Sequence, residues 1–151
     1  MAKVAQFTAE IERHRVIGVD SSIFIYQFEQ HSQFASFCHT IFDRLDDGVV
    51  ELATSTVTVS EVLVRPLEQK DPEVVMLYEQ VFTQLPRLRI IAIDYRLAKL
   101  AAQLRVRYHI FLPDAYQIAA ALTQRATLFV TNDRALKKVN DLKVICLHDY
   151  L

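Results

Sequence analysis

Glycine is almost missing from this chain: two in 151 residues, Gly18 and Gly48. That scarcity excludes whole classes of chemistry. The phosphate-cradling patterns GxGxxG and GxxxxGKS/T, and the GxSxG nucleophile elbow, all need glycines at spacings that two cannot supply. HExxH is absent as well, and with it the helical zinc-hydrolase pattern. Cys38 and Cys146 stand far apart with no CxxC spacing. They exclude a disulfide scaffold and fit a reducing compartment, so the expected location is the cytoplasm. Cys38 and Arg44 do share the C-x5-R spacing of a thiol phosphatase loop. The residues between them hold no glycine and follow a helical apolar pattern, whereas such a loop needs free amides wrapped around phosphate. No apolar run is long enough to span a bilayer. Residues 1–15, with Glu10, Glu12 and His14, lack the apolar stretch of a signal peptide. Neither sign of charge dominates, at 17 Lys and Arg against 18 Asp and Glu. Nucleic-acid binding would therefore need basic residues sorted onto one face.

What is present is a core. The chain is 52% hydrophobic, and 151 residues suit one domain able to bury that content. Residues 2–14 place Val4, Phe7 and Ile11 at helical spacing, giving an N-terminal helical extension over 1–15. Val16–Val19 then reads as a strand buried on both faces. Helices follow over 22–30 and 34–45, with Gly48 near the C-cap position of the second, and then a strand over 49–55. Val57–Arg65 reads as a helix that Pro66 stops, with Thr58-x-x-Glu61 in the pattern of a capping box. Asp71-Pro72 opens a helix to about residue 84, and 88–93 is a strand. Asp94 caps a long helix to Tyr108, and Leu112-Pro113-Asp114-Ala115 opens another to about residue 125. Strands over 128–130 and 143–147, with a short helix between them, close the chain. This alternation predicts an α/β fold: one domain over 16–151 on a central parallel sheet of about five strands flanked by helices.

Four acids sit at the ends of these elements. Asp20 and Asp133 directly follow strands, at the carboxyl edge where open α/β sheets place their chemistry. Glu61 lies one or two turns into the helix after a strand and can lean over that edge. Asp114 opens a helix, and spacing alone does not say at which end of the sheet. Each acid also has a plain structural reading. A carboxylate near a helix N-terminus satisfies orphan amides and the helix dipole, for about 0.3–1 kcal/mol. Ser21, Ser22, Thr131 and Asn132 stand beside them, either as caps or as groups that orient carboxylates and waters. Together the acids repel one another unless a positive group sits among them. With no His/Cys ligand set, that group is a hard, oxygen-loving cation, Mg²⁺ or Mn²⁺. The chemistry that fits is hydrolysis of a phosphodiester by a metal-polarised water.

Val-Asp-Ser-Ser at 19–22, Ser55-x-x-Thr58-x-x-Glu61, Leu-Pro-Asp-Ala at 112–115 and Thr-Asn-Asp at 131–133 form an ordered set. The set resembles the motifs of PIN-domain ribonucleases, most of all the VapC-type toxins of toxin–antitoxin pairs, over about residues 16–150. The resemblance implies that Asp20, Glu61 and Asp114 bind metal and that Asp133 completes the catalytic cluster, with Thr131 or Asn132 in support. It further implies Mg²⁺ or Mn²⁺ as cofactor, RNA as substrate, a homodimer, and inhibition by a cognate antitoxin. Many members begin almost at the first strand, so the residues before Val16 depart from the pattern. Val4, Phe7 and Ile11 point to packing of that segment on the core.

Arg134 beside Asp133, and Arg65 one turn after Glu61, are the candidates for substrate contact. Arg96, Lys99, Arg105 and Arg107 on the long helix read as a solvated face. Tyr26, Tyr108 and Tyr116 suit either base stacking or the core. His31, His39, His109 and His148 show no metal spacing and take no catalytic role. Two rivals remain. One is a PIN-fold module that binds RNA or protein with little or no catalysis, which the intact acid set argues against. The other is a metal-dependent phosphatase for monoesters, for which no phosphate cradle is evident.

Overall fold

The computed structural model describes residues 2–151. Among these, helices and strands alternate as α1 (Ala2–Glu12), β1 (Val16–Val19), α2 (Ser21–Glu29), α3 (Ala35–Asp46), β2 (Glu51–Ser55), α4 (Thr56–Glu68) and α5 (Pro72–Gln84). The second half continues with β3 (Leu88–Ile91), α6 (Tyr95–Tyr108), α7 (Leu112–Thr123), β4 (Leu128–Thr131) and β5 (Lys143–Cys146). Two 3-10 turns, Arg134–Lys138 and Leu147–Tyr150, follow β4 and β5. All strand pairings are parallel, in the order β3-β2-β1-β4-β5. The chain walks outward from β1 to β3 and then returns past β1 to place β4. That reversal falls between β1 and β4, where an open parallel sheet leaves a crevice at its carboxyl edge.

Period-two alternation along the strands sorts the core onto both faces of the sheet. Ile17, Val19, Leu52, Leu128 and Val130 pack with Phe7, Ile11, Phe24 and Ile41. Phe129 packs instead with Leu97, Leu104, Ile118 and the alanines of α7. Phe7 and Ile11 are fully buried, so the inner face of α1 belongs to the first of these clusters. A Cβ at Gly18 would stand 2.4 Å from the Cβ of Ala121 and 2.7 Å from the Phe129 ring. Glycine there lets α7 lie almost on the backbone of β1, which brings the helix of Asp114 against the crevice. Gly48, at φ +75°, takes the left-handed position just after Asp47, the C-cap of α3.

Two local expectations fail. Pro66 does not stop α4, which runs on to Glu68. The proline is buried, and its missing N–H takes one bond, the one to the Val62 carbonyl, from the helical ladder. The capping box is not formed either. Ser55 is the N-cap, in extended conformation, and its side chain accepts from the Val57 amide, while Thr58 is turned into the core. No helix among the described residues is long and apolar enough to cross a membrane.

Candidate active site

Asp20 leaves the end of β1 in extended conformation, φ −92° and ψ 179°, and caps α2. Its Oδ1 accepts from the Ser22 amide at 3.1 Å and from the Ser22 hydroxyl, and its Oδ2 accepts from the Thr131 hydroxyl. The side chain is buried with the residue at 8% exposure. Burial pushes its carboxyl above the ordinary range, the Ser22 and Thr131 hydroxyls pull it back, and the charge of Glu61 adds to the rise. Thr131 ends β4 and is fully buried. While its hydroxyl donates to Asp20, it accepts from the Asp133 amide at 3.0 Å. One hydroxyl thus ties the ends of β1 and β4 together across the crevice.

Asp133 caps the 3-10 turn through a 2.9 Å bond from the Ala135 amide and is otherwise exposed. Asp114 stands in the first turn of α7. Its carboxyl is pushed up to about 6, first by burial and then by the charges of Asp133 and Asp20. The field places Asp114 at the same edge as those two acids, with α7 running away from that edge toward the start of β4. Spacing left this point open, and the packing of α7 on β1 resolves it. Glu61 lies one turn beyond Thr58 on α4. Burial pushes its carboxyl up, the Ser21 hydroxyl opposes that, and Asp114 adds repulsion. Four acids from separated segments therefore feel one another through a linked chain of repulsions.

Beneath them lies a buried polar clamp that the sequence reading missed. Gln117, 1% exposed, accepts at Oε1 from the Ser55 amide at 3.0 Å, the Ser55 hydroxyl at 2.9 Å and the Thr54 hydroxyl at 3.0 Å. Its Nε2 donates to the Thr58 hydroxyl at 2.6 Å, and Thr54 and Thr58 share a 2.7 Å bond. Thr58 is one turn before Glu61, and Gln117 one turn after Asp114. The clamp joins the end of β2 and the start of α4 to α7, below the two acids that those helices carry. The available signal was Gln117 itself, a lone polar residue on the apolar face Ala115–Ile118–Ala121.

The remaining expected residues fall outside this arrangement or at its margin. Asn132 is turned aside, donating to the Tyr26 hydroxyl at 3.0 Å and accepting from the His148 amide at 3.1 Å. Arg65 is paired with Glu29 at 2.9 Å, and Arg134 lies 3.9 Å from Asp149. Tyr108 is buried, its hydroxyl bonded to Asn140 and Asp141. Tyr116 is half-buried between α6 and α7 side chains. Cys38 lies inside α3, and its thiol is pushed up to about 12 by burial and then by Asp20. A thiol so hard to ionise is no nucleophile at neutral pH, which closes the phosphatase-loop reading.

The donors at this edge are carboxylate oxygens, in mutual repulsion. Among the described residues none of the four acids forms a salt bridge. As the side chains stand, no three acids, imidazoles or thiols among those residues are close enough together to hold an ion. The donor chemistry fits a hard divalent cation, whose charge would remove the repulsion among these acids.

A family model described as the PIN domain matches residues 17–142. No curated protein matches the chain. Among solved structures, one chain of the Rickettsia felis VapBC2 complex bound to a promoter DNA fragment is similar at a TM-score of 0.65 and 18% identity, covering 87% of this chain and 98% of that one. A chain of a toxin–antitoxin complex from Klebsiella pneumoniae is similar at 0.63 and 22%, covering 88% of this chain and 97% of that one. At these identities the likeness to both speaks for the fold.

Proposed function

The chain belongs to the PIN-domain family, and from that premise we propose that it is a divalent-metal-dependent endoribonuclease, the toxin of a toxin–antitoxin pair. The observation that carries the reading is the repulsion among Asp20, Glu61 and Asp114, each with a carboxyl raised partly by another acid's charge. Helix capping accounts for Asp20 and Asp133 singly, but not for gathering repelling acids at the topological switch point, which a cation would relieve. A bound Mg²⁺ or Mn²⁺ supplies a polarised water as nucleophile and neutralises the phosphodiester. Asp20, Glu61 and Asp114 would hold it, with Asp133 completing the set. Ser22 and Thr131 keep the Asp20 carboxylate aimed into the crevice, and Thr131 passes that constraint to Asp133 through its amide. The Ser21 hydroxyl opposes the rise of the Glu61 carboxyl.

The partners follow from the same premise. Two of the similar solved structures are toxin–antitoxin complexes, which supports a cognate antitoxin for this chain; its expected location is the cytoplasm. A groove of about 630 Å³ between α2, α3 and α5, lined by Phe28, Phe42, Leu77, Tyr78 and Leu85 among others, offers apolar surface for such a protein. Exposed Tyr95, Val106 and Phe111, along and beyond α6, offer a separate apolar surface for a homodimer.

The test is RNA cleavage with Mn²⁺, a chelator control and Asp20→Asn. Cleavage that disappears in chelator and in the variant is the expected result. Undiminished cutting in excess chelator would sink the reading. Binding of RNA without turnover in either metal would instead favour the non-catalytic PIN module.

A further inference from the structure

Four rings stand on the same edge of the sheet, fastened to the residue between Thr131 and Asp133. Tyr26 of α2 and His31 just after it lie 4.6 Å apart between centroids, and Phe34, the N-cap of α3, stacks on both at 5.1 and 4.9 Å. His148, beyond β5, meets Phe34 edge to face at 5.2 Å. Asn132 holds the two ends of this wall, accepting from the His148 amide and donating to the Tyr26 hydroxyl. His31 is itself fixed, its Nδ1 accepting from the Gln33 amide at 3.2 Å. Phe34 is buried, Tyr26 and His31 are half-buried, and His148 is exposed. The edge-to-face contact leaves at least one face of the His148 imidazole uncovered by Phe34.

The charge beside the wall has the opposite sign to the charge at the acids. Arg134 and Lys137 both lean on Asp149, the residue after His148, so two cations share one carboxylate there, and Lys138 adds a third cation nearby. A phosphodiester entering the acid edge is repelled by it and has to be held from outside. Aromatic faces bind any base whatever the local field, and adjacent basic groups take the phosphates. We propose that His148, backed by Phe34, Tyr26 and His31, is a stacking platform for an unpaired base of the RNA strand next to the acids. Arg134 and Lys137 hold the phosphate of the same nucleotide. The proposal rests on the reading of RNA as ligand but not on turnover.

Binding is measured by fluorescence anisotropy on the Asp20→Asn protein in excess chelator, so that nothing is cut. The probes are a short labelled single-stranded oligoribonucleotide and the same backbone with abasic sites. His148→Ala weakens binding of the intact oligonucleotide about tenfold, in line with the loss of one stacked base, and leaves abasic binding unchanged. His148→Phe restores the affinity, because a phenyl face stacks without titrating. The double variant Arg134→Ala/Lys137→Ala lowers the slope of log affinity against log salt by about 0.7, the single-strand value for one phosphate contact, on both probes. Equal affinities for His148→Ala and its parent, failure of Phe to restore binding, or no RNA binding at all would overturn the platform. The two readings separate cleanly. Wild-type protein that shows this binding pattern yet never cuts in Mn²⁺ loses the nuclease reading and keeps the platform. Wild-type protein that cuts and does not feel His148→Ala loses only the platform.

Discussion

Asp20 and Asp114 face the same crevice and are held in opposite ways. Both Asp20 oxygens are occupied, by the Ser22 amide and hydroxyl on one side and Thr131 on the other, under nearly complete burial. Asp114 is half-buried, and its surroundings act on it by desolvation and by the charges of Asp133 and Asp20. The first acid is positioned by the fold. The second is tolerated by it, and its cost makes sense only if something positive arrives. On the proposed metal-binding reading, the braced acid would fix where a cation sits and the loosely held one would give up stability to receive it.

The largest effect should come from the braced side. Asp20→Asn keeps the shape that Ser22 and Thr131 surround but removes the charge, so Mn²⁺-dependent RNA cleavage should fall to background with the circular dichroism spectrum unchanged. Residual cleavage near the wild-type rate would mean that the braced acid is only a helix cap, and the comparison with Asp114 would collapse.

The clamp beneath the loose side comes next. Thr58→Val removes a hydroxyl that bonds both Thr54 and Gln117, and each group left unpaired costs about 1–3 kcal/mol. If the clamp sets the approach of α4 to α7, Mn²⁺ affinity by calorimetry should also weaken by about tenfold or more, the usual penalty for losing an outer-shell partner. A merely structural clamp would lower the melting temperature and leave the affinity of the folded fraction untouched. Gln117→Leu should be worse on both counts, since it strands the Ser55 amide as well.

Thr131 tests the brace itself at a smaller scale. Thr131→Val deprives Asp20 of a donor and the Asp133 amide of an acceptor. The expected loss is about 1–3 kcal/mol, seen as a lower urea midpoint at unchanged slope. Thr131→Ser should restore most of it. A midpoint for the Val variant above that of the Ser variant would show that the methyl, not the hydroxyl, is what the site uses.

This contrast also marks how far the sequence could be read. The alternation of apolar runs and capped helices showed the parallel sheet, and acids placed directly after strands showed Asp20 and Asp133 at its carboxyl edge. Those are local signals. Asp114 depended on the path of α7, which rests on Gly18 admitting Ala121, a contact between residues more than a hundred positions apart. Gln117 went unread because its partners, Thr54, Ser55 and Thr58, lie in another βα unit. Thr58 was misread for the same reason, since three-residue spacing to an acid fits a cap whether or not the residue faces the core. His31 and His148 are far apart in sequence and meet only through the corner that Phe34 fills.

The smallest effect is the most pointed, because it asks whether removing a functional acid stabilises the protein. The Asp114 carboxyl is pushed up to about 6 in the folded protein, from the 3.8 of a free aspartate side chain. A raised acid holds its proton more tightly in the native state, so ionisation favours unfolding. Its contribution is fully present below pH 3.8, is lost as pH climbs through about 6, and the penalty is complete above that. Asparagine has no proton to lose. Asp114→Asn should therefore melt above the wild type at about pH 7.5, and the difference should close as pH falls below the unfolded carboxyl range. Solvent screens a half-exposed group, so the gain is held to less than about 1 kcal/mol. Mn²⁺ should then reverse the order at neutral pH, by raising the melting temperature of the wild type alone through mass action. An Asp114→Asn protein that melts below the wild type at neutral pH without metal would show that this acid is braced after all, by contacts that outweigh the repulsion of Asp20 and Asp133.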